Sequence, residues 1–308
     1  MKKISALLLA VVLLLCGCGT PKTSSVTNGG ISSETEMIYA DIAALRYENS
    51  VVIGDLMQKN QYGKSKLSYT VNLYENEKKF EEELSNSAPI SFMSLSEGLK
   101  IAKHSNGTFK ILAITQQNNV FVFGNETATS EKLGKSRVYV YNTDDIKSFA
   151  NELGCNGFKT FKDISELIKI ANTKTCDFII APQPIAGKLL ETDGFKTATA
   201  VNSLLNTDVL FGCIVCSNDM YITSPKLFSR FVSDLKSSVS AAASGSESAT
   251  STLENYNVCS KSVSKEAAVN SGAVYIEKED ALKAINDYLE LVSHSGQYTN
   301  IANLVITY

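Results

Sequence analysis

A set of polar residues falls where apolar runs of strand length stop: Arg46 and Tyr47, Ser94, Gln116 and Asn118, Asn142 and Thr143, and Gln183. Their chemistry is recognition rather than bond making. Arg46 offers a planar donor fork for a carboxylate, a sulfonate or a nitrate-like group. Tyr47 can stack or hydrogen-bond. Gln116 and Gln183 supply neutral amides that donate and accept. Ser94 and Thr143 open helical segments, where backbone N–H groups gather. Each also has a plainer reading: Ser94 and Thr143 as N-caps, Arg46 as the ion-pair partner of Glu48, Gln116 to Asn119 as a turn. The pattern contains no His near a nucleophile and a carboxylate, and no glycine-rich phosphate loop. With two histidines, His104 and His294, far apart, tetrahedral zinc is disfavoured. His104 reads as a structural residue in the last turn of a helix. The expectation is a binding protein without cofactor or catalytic site.

Seven cysteines occur. Five follow the N-terminal segment: Cys155, Cys176, Cys213, Cys216 and Cys259. An odd number argues against a complete disulfide framework. Cys213 and Cys216 have redox-motif spacing, but they lie in the apolar run Val209 to Cys216. Residues three apart on a strand point to opposite faces, and a redox pair wants a helix N-terminus. They read as small buried hydrophobes. An enzymatic alternative would have to use Cys155 or Cys176.

The elements that must position the polar set alternate between strands and helices. Strands are expected at Met37 to Leu45, Leu67 to Leu73, Pro89 to Met93, Phe109 to Thr115, Val120 to Phe123, Val138 to Tyr141 and Val209 to Val215. Arg46 to Asn49 reads as a polar loop before a helix from Val51 to Lys59. Ser94 and Glu97 have capping-box spacing ahead of a helix to His104. Asn142 to Asp145 opens a further helix with a cap residue and first-turn acids, and Asp163 with Glu166 begins another. Phe178-Ile179-Ile180 lacks polar alternation and reads as a strand buried on both faces. Pro182 and Pro184 then hold Gln183 stiffly at its carboxyl end, the edge where open α/β sheets bind ligands. Leu227, Phe228, Phe231, Val232 and Leu235 make a helical stripe. The Ser- and Ala-rich stretch Ser237 to Thr252 is open between loop and helix. Strands alternating with helices imply parallel sheets.

The 308 residues carry a formal net charge of -3, which gives no basic footprint for nucleic acid. Lys2 and Lys3 precede the apolar run Ala6 to Leu15, which is too short to span a bilayer and matches a signal h-region. The run ends in Leu15-Cys16-Gly17-Cys18, which resembles a bacterial lipobox. That resemblance implies a signal peptide over 1–17 and lipid (diacylglyceryl, palmitate-type) attachment at Cys18. An ordinary secretory signal is the plainer alternative. Residues 18–35 read as a flexible tether rich in Ser, Thr and Gly.

The order of motifs resembles the extracytoplasmic solute-binding proteins of ABC importers, in the branch of nitrate, sulfonate, taurine and thiamine-precursor binders. The lipobox and tether carry part of the likeness. The rest lies in Phe109 to Thr115, in Leu133-Gly134-Lys135-Ser136-Arg137 before Val138, in Cys176 to Leu190, and in Leu227 to Val239. The resemblance implies an α/β, two-lobed fold of the type II periplasmic-binding-protein kind, with two open, mostly parallel sheets, a hinge and a ligand cleft. One lobe would comprise 36–125 and 208–308, the other 126–207. It also implies a lipid-anchored extracytoplasmic monomer that captures a small polar organic or anionic molecule. Its partners would be an ABC permease and its ATPase, and the polar set above would line the cleft. Gln183 stands where the family pattern has an acid, and Asn142-Thr143-Asp144 where it has a Gly/Ser-rich turn. Both departures prevent a ligand from being borrowed. A sensory or orphan binding protein without transport coupling is the alternative.

Overall fold

The computed structural model describes residues 38–61, 67–74, 77–87, 89–192, 195–292, 297–298 and 300–308. The signal segment 1–17, the tether 18–35 and Cys18 lie outside the described residues. Among the described residues no helix is long and apolar enough to cross a membrane.

Strand β1 (Ile38–Leu45) illustrates how the fold is built. Side chains alternate across a strand. Ile42 and Ala44 enter one apolar cluster and Ala43 and Leu45 the other, so this strand is covered on both faces. It pairs in parallel with β2 (Leu67–Tyr74) and β3 (Ile90–Ser94). The first sheet is completed by β4 (Phe109–Gln117), β10 (Leu210–Ser217) and β11 (Ala273–Glu277), in the order β11-β4-β10-β3-β1-β2. The second contains β5 (Val120–Gly124), β6 (Val138–Tyr141), β7 (Phe158–Phe161), β8 (Phe178–Pro182) and β9 (Thr197–Ala200), in the order β7-β6-β8-β5-β9. The longer helices are α1 (Arg46–Gln61), α2 (Glu77–Ser87), α3 (Leu95–His104), α4 (Asp144–Glu152), α5 (Ile164–Thr173), α6 (Pro225–Ala243), α7 (Glu247–Asn255), α8 (Lys261–Val269) and α9 (Lys278–Leu291).

The sheets are mixed rather than mostly parallel. β6 is parallel to β7 and β8. By contrast β10 is antiparallel to β3 and β4, β11 to β4, and β5 to β8 and β9. For β5 and β10 the reason lies in the crossovers. The chain leaves the first sheet at the carboxyl end of β4 and enters the second from that same edge, so β5 must run outward, against its neighbours. The return from β9 to β10 repeats the move. The outgoing crossover falls at Asn118 and Asn119, so Val120–Gly124 pairs within the second sheet. The division expected at 125/126 therefore moves to the residues before β5.

Ser237 to Thr252 is helical apart from a turn at Ser244 to Ser246. It forms the end of α6 and most of α7, and both pack on α1. Small residues allow a close approach: a Cβ at Gly54 would lie 2.7 Å from Thr252 Oγ1. The buried Ser238 hydroxyl donates to Val52 O at 2.6 Å. One continuous apolar cluster runs from the α3 and α9 face of the first sheet into the second sheet.

Candidate functional site

The expected loop at Arg46 to Asn49 is the first turn of α1, which begins directly at the end of β1. Local propensity reads these polar residues as a loop, but tertiary hydrogen bonds at the sheet junction hold them in a helix. Tyr141 of β6 donates its hydroxyl to Glu48 Oε1 at 2.7 Å. Asn49 Nδ2 donates to Gln116 Oε1 at 3.2 Å. Gln116 Nε2 donates to Glu48 O at 3.1 Å and Ser271 O at 3.3 Å. Glu48, Asn49, Gln116 and Gln183 are all buried. Gly212 is required beside this group, because a Cβ there would lie 2.4 Å from Gln116 Oε1.

A second junction lies at the start of α3. Ser94 occupies the N-cap position, but its side chain makes no cap hydrogen bond, so the expected capping box does not form. The carboxylate comes instead from α4 of the second sheet. Ser96 N and Oγ both donate to Asp145, and Tyr288 of α9 donates to Asp145 Oδ1 at 2.6 Å. Asp145 is fully buried. Burial pushes its carboxyl above its ordinary value even against these bonds. Its neighbour Asp144 joins Lys100 Nζ at 2.6 Å and Lys147 Nζ at 2.6 Å. Their hydrogen bonds hold its carboxyl down at about 2. Thr143 does act as an N-cap, accepting from Ile146 N at 3.3 Å.

Between these contacts lies a cavity of about 200 Å³. Leu45, Phe80 and Met93 form its apolar wall. Glu48, Ser94, Ser96, Glu97 and Lys100 line it from the first sheet, and Asn142, Thr143, Asp144 and Lys147 from the second. Three of the expected site residues, Ser94, Asn142 and Thr143, therefore meet across it. Gln116 and Gln183 are buried at the crossovers, where Gln183 N donates to Asn119 O at 2.7 Å and Asn119 Nδ2 to Gln183 O at 3.2 Å. Asn118 ties the two crossovers together: its Nδ2 donates to Asp208 Oδ1 at 2.8 Å and its Oδ1 accepts from Val209 N at 2.8 Å. Arg46 stands outside the cavity lining, with its guanidinium carbon 5.7 Å from the Tyr256 ring centroid. The Tyr47 side chain lies outside the described residues.

Glu48, Tyr141, Lys100, Asp145 and Tyr288 are the junction residues that pattern reading missed. The Asp144-Asp145 pair was visible as first-turn acids, but nothing in its spacing told of a partner on another sheet. The cysteines considered for catalysis do not reach the cleft. Cys176 precedes β8, at the edge opposite Gln183, and burial pushes the Cys155 and Cys176 thiols up to about 11. Cys213 and Cys216 are buried in different apolar clusters. All five described cysteines are free thiols.

No protein-family model matches the chain, and no curated protein matches it. Solved structures do. The ligand-binding component of an ABC-type import system from Staphylococcus aureus, with zinc bound, has a TM-score of 0.69 at 11% identity, covering 88% of this chain and 97% of that one. The periplasmic aliphatic sulphonate-binding protein of Escherichia coli has a TM-score of 0.62 at 9% identity, covering 87% and 92%. A Candida albicans protein described as having the generic periplasmic binding protein structural fold has a TM-score of 0.57 at 11% identity, covering 88% and 96%. At such identities the likeness shows the fold, which is that of the periplasmic binding proteins.

Proposed function

We propose that this chain is the solute-binding component of an ABC importer, held outside the cytoplasm by a lipid on Cys18 and delivering a small polar molecule to a permease and its ATPase. The observation that carries the reading is the cavity between the two sheets, lined from both and spanned by Tyr141–Glu48, Ser96–Asp145 and Lys100–Asp144. Two crossovers stitched at Asn118 provide a hinge of the kind that lets two lobes close on a ligand. The lobes would be the bodies around the two sheets, and Ser94, Asn142 and Thr143 would contact the ligand directly. Gln116 and Gln183 would support it from the hinge side.

The test is calorimetry on the full chain in mild detergent, stripped of small molecules by unfolding and refolding, against small anions, amines and pyrimidines. A saturable one-to-one heat that Thr143→Ala and Asn142→Ala weaken is expected. Absence of heat with every compound would count against the reading.

A further inference from the structure

The carboxylate of Asp145 is held from across the junction. Its helix, α4, packs on β6 and β8 of the second sheet. The residues that bond it, Ser96 and Tyr288, belong to α3 and α9, which pack on β4 and β10 of the first. Ser96 gives both its N–H, at 3.1 Å, and its hydroxyl, and Tyr288 gives its hydroxyl at 2.6 Å. The Tyr288 ring also meets Phe149 of α4 edge to face, with centroids 6.2 Å apart. Asp145, Phe149 and Tyr288 are all buried. The pair Lys100–Asp144 crosses the junction too, at 2.6 Å, but its side chains are 40% and 41% exposed, and a pair so open to water contributes little.

A buried carboxylate tolerates the loss of water only while its bonds are complete, and removing one partner costs more than that bond is worth on its own. The Ser96 and Tyr288 bonds therefore form together when the two bodies meet and break together when they part. The contact has two states, bonded and hydrated. Neither Asp145 nor Tyr288 lines the cavity, whereas Ser96 does. The Ser96 hydroxyl also lies 3.4 Å from that of Ser94, a second lining residue. Ser96 thus belongs both to the cavity wall and to the buried contact behind it.

Resting on the solute-binding reading above, we infer that Ser96, Asp145 and Tyr288 form a latch that holds the two lobes closed over the solute, with Asp145 and Tyr288 as positioning residues that do not touch it. A solute that orders the Ser94–Ser96 wall fixes both Ser96 donors on Asp145. Release requires the latch to part.

The experiment uses the full chain in mild detergent, stripped by unfolding and refolding. It compares the unaltered chain with Asp145→Ala and with Tyr288→Phe, which deletes one donor and keeps the ring on Phe149. A short carbodiimide pulse joins neighbouring Lys and carboxylate side chains as amides, which mass spectrometry reads. A Lys100–Asp144 link crosses the junction and reports closed lobes. Lys147–Asp144, at the same 2.6 Å within α4, and Lys135–Glu131, at 2.7 Å, lie within one body and report folding. The ratio of the Lys100 link to the Lys147 link is expected to fall about tenfold in Tyr288→Phe, the factor for one hydrogen bond to a charged group. It should fall further in Asp145→Ala, with the Lys135–Glu131 yield unchanged. An unfractionated small-molecule extract of bacterial cells should restore the ratio in Tyr288→Phe. An unchanged ratio in Tyr288→Phe, or a fall matched by the Lys135–Glu131 link, overturns the latch. A lowered ratio that the extract leaves low overturns its coupling to a solute. In either case a higher unfolding temperature of the unaltered chain with the extract keeps the solute-binding reading, and no rise removes it.

Discussion

Asp145 is a carboxylate with no solvent access that accepts hydrogen bonds from two elements outside its own helix. Removing it strands the Ser96 N–H and the Tyr288 hydroxyl. Asp145→Ala should therefore cost about 2–3 kcal/mol in urea unfolding at neutral pH, and no measurable loss would contradict its role. The paired aspartates also make opposite contributions to the pH dependence. Burial raises the Asp145 pKa above its ordinary value of 3.8. Its contribution to stability is thus fully present below that pH and is lost as pH rises through the window up to the raised value. Asp144, held at about 2 against an ordinary 3.8, contributes above 3.8 and loses that contribution as pH falls towards 2. Its side chain is 41% exposed, so its ion pairs add only about 0.2–1 kcal/mol. Urea midpoints from pH 2 to 7 should show Asp144→Asn flattening the acid limb, and Asp145→Asn flattening the fall above pH 3.8. These residues mark the limit of pattern reading. First-turn acids at Asp144 and Asp145 and the serine at Ser94 are legible from spacing. That one helix's acid caps the other helix is a three-dimensional fact.

At the scale of elements, periodicity located the central strands and the longer amphipathic helices because buried faces repeat at intervals of two or about 3.6 residues, but not the edge strands β7, β9 and β11. It did not reveal strand direction, since alternation is the same read either way, and so β5 and β10 were not distinguishable from parallel strands. It also missed the start of α1, where Glu48 and Asn49 are held by Tyr141 and Gln116 from distant parts of the chain. The Ser/Ala-rich stretch was ambiguous because its helicity depends on packing against α1. That packing makes a prediction. A Cβ at Gly54 would lie 2.7 Å from Thr252 Oγ1 and 3.1 Å from Ser248 O. Gly54→Ala gains helix propensity of about 1 kcal/mol but overpacks the contact, at about 1–3 kcal/mol. Net destabilisation is expected, with most of it recovered in Gly54→Ala combined with Thr252→Ala. Urea unfolding of the four members of this cycle measures it, and a stabilised single variant would refute the close α1–α7 packing.

At the scale of the molecule, the strand order of the first sheet and the double crossover place a cavity between two sheets, and the sequence motifs anticipated both the class of fold and part of the lining. Gln183 was the residue singled out at the end of the buried strand β8. It proves to be tied to the crossover residue Asn119 rather than to line the described cavity. The membrane claim belongs to this scale too. Incorporation of an alkyne-bearing fatty acid should be abolished by Cys18→Ser and retained in Cys16→Ser; label retained in Cys18→Ser would place the acceptor elsewhere.

The central claim, that a small molecule is held between the sheets, is tested most directly by hydrogen–deuterium exchange of the stripped full chain with and without an unfractionated small-molecule extract of bacterial cells. Slower exchange is expected at the first turn of α1 (46–50), at the start of α3 (94–97) and across β6 into α4 (141–147). Exchange unchanged at all three, or slowed only on surfaces away from them, would contradict it.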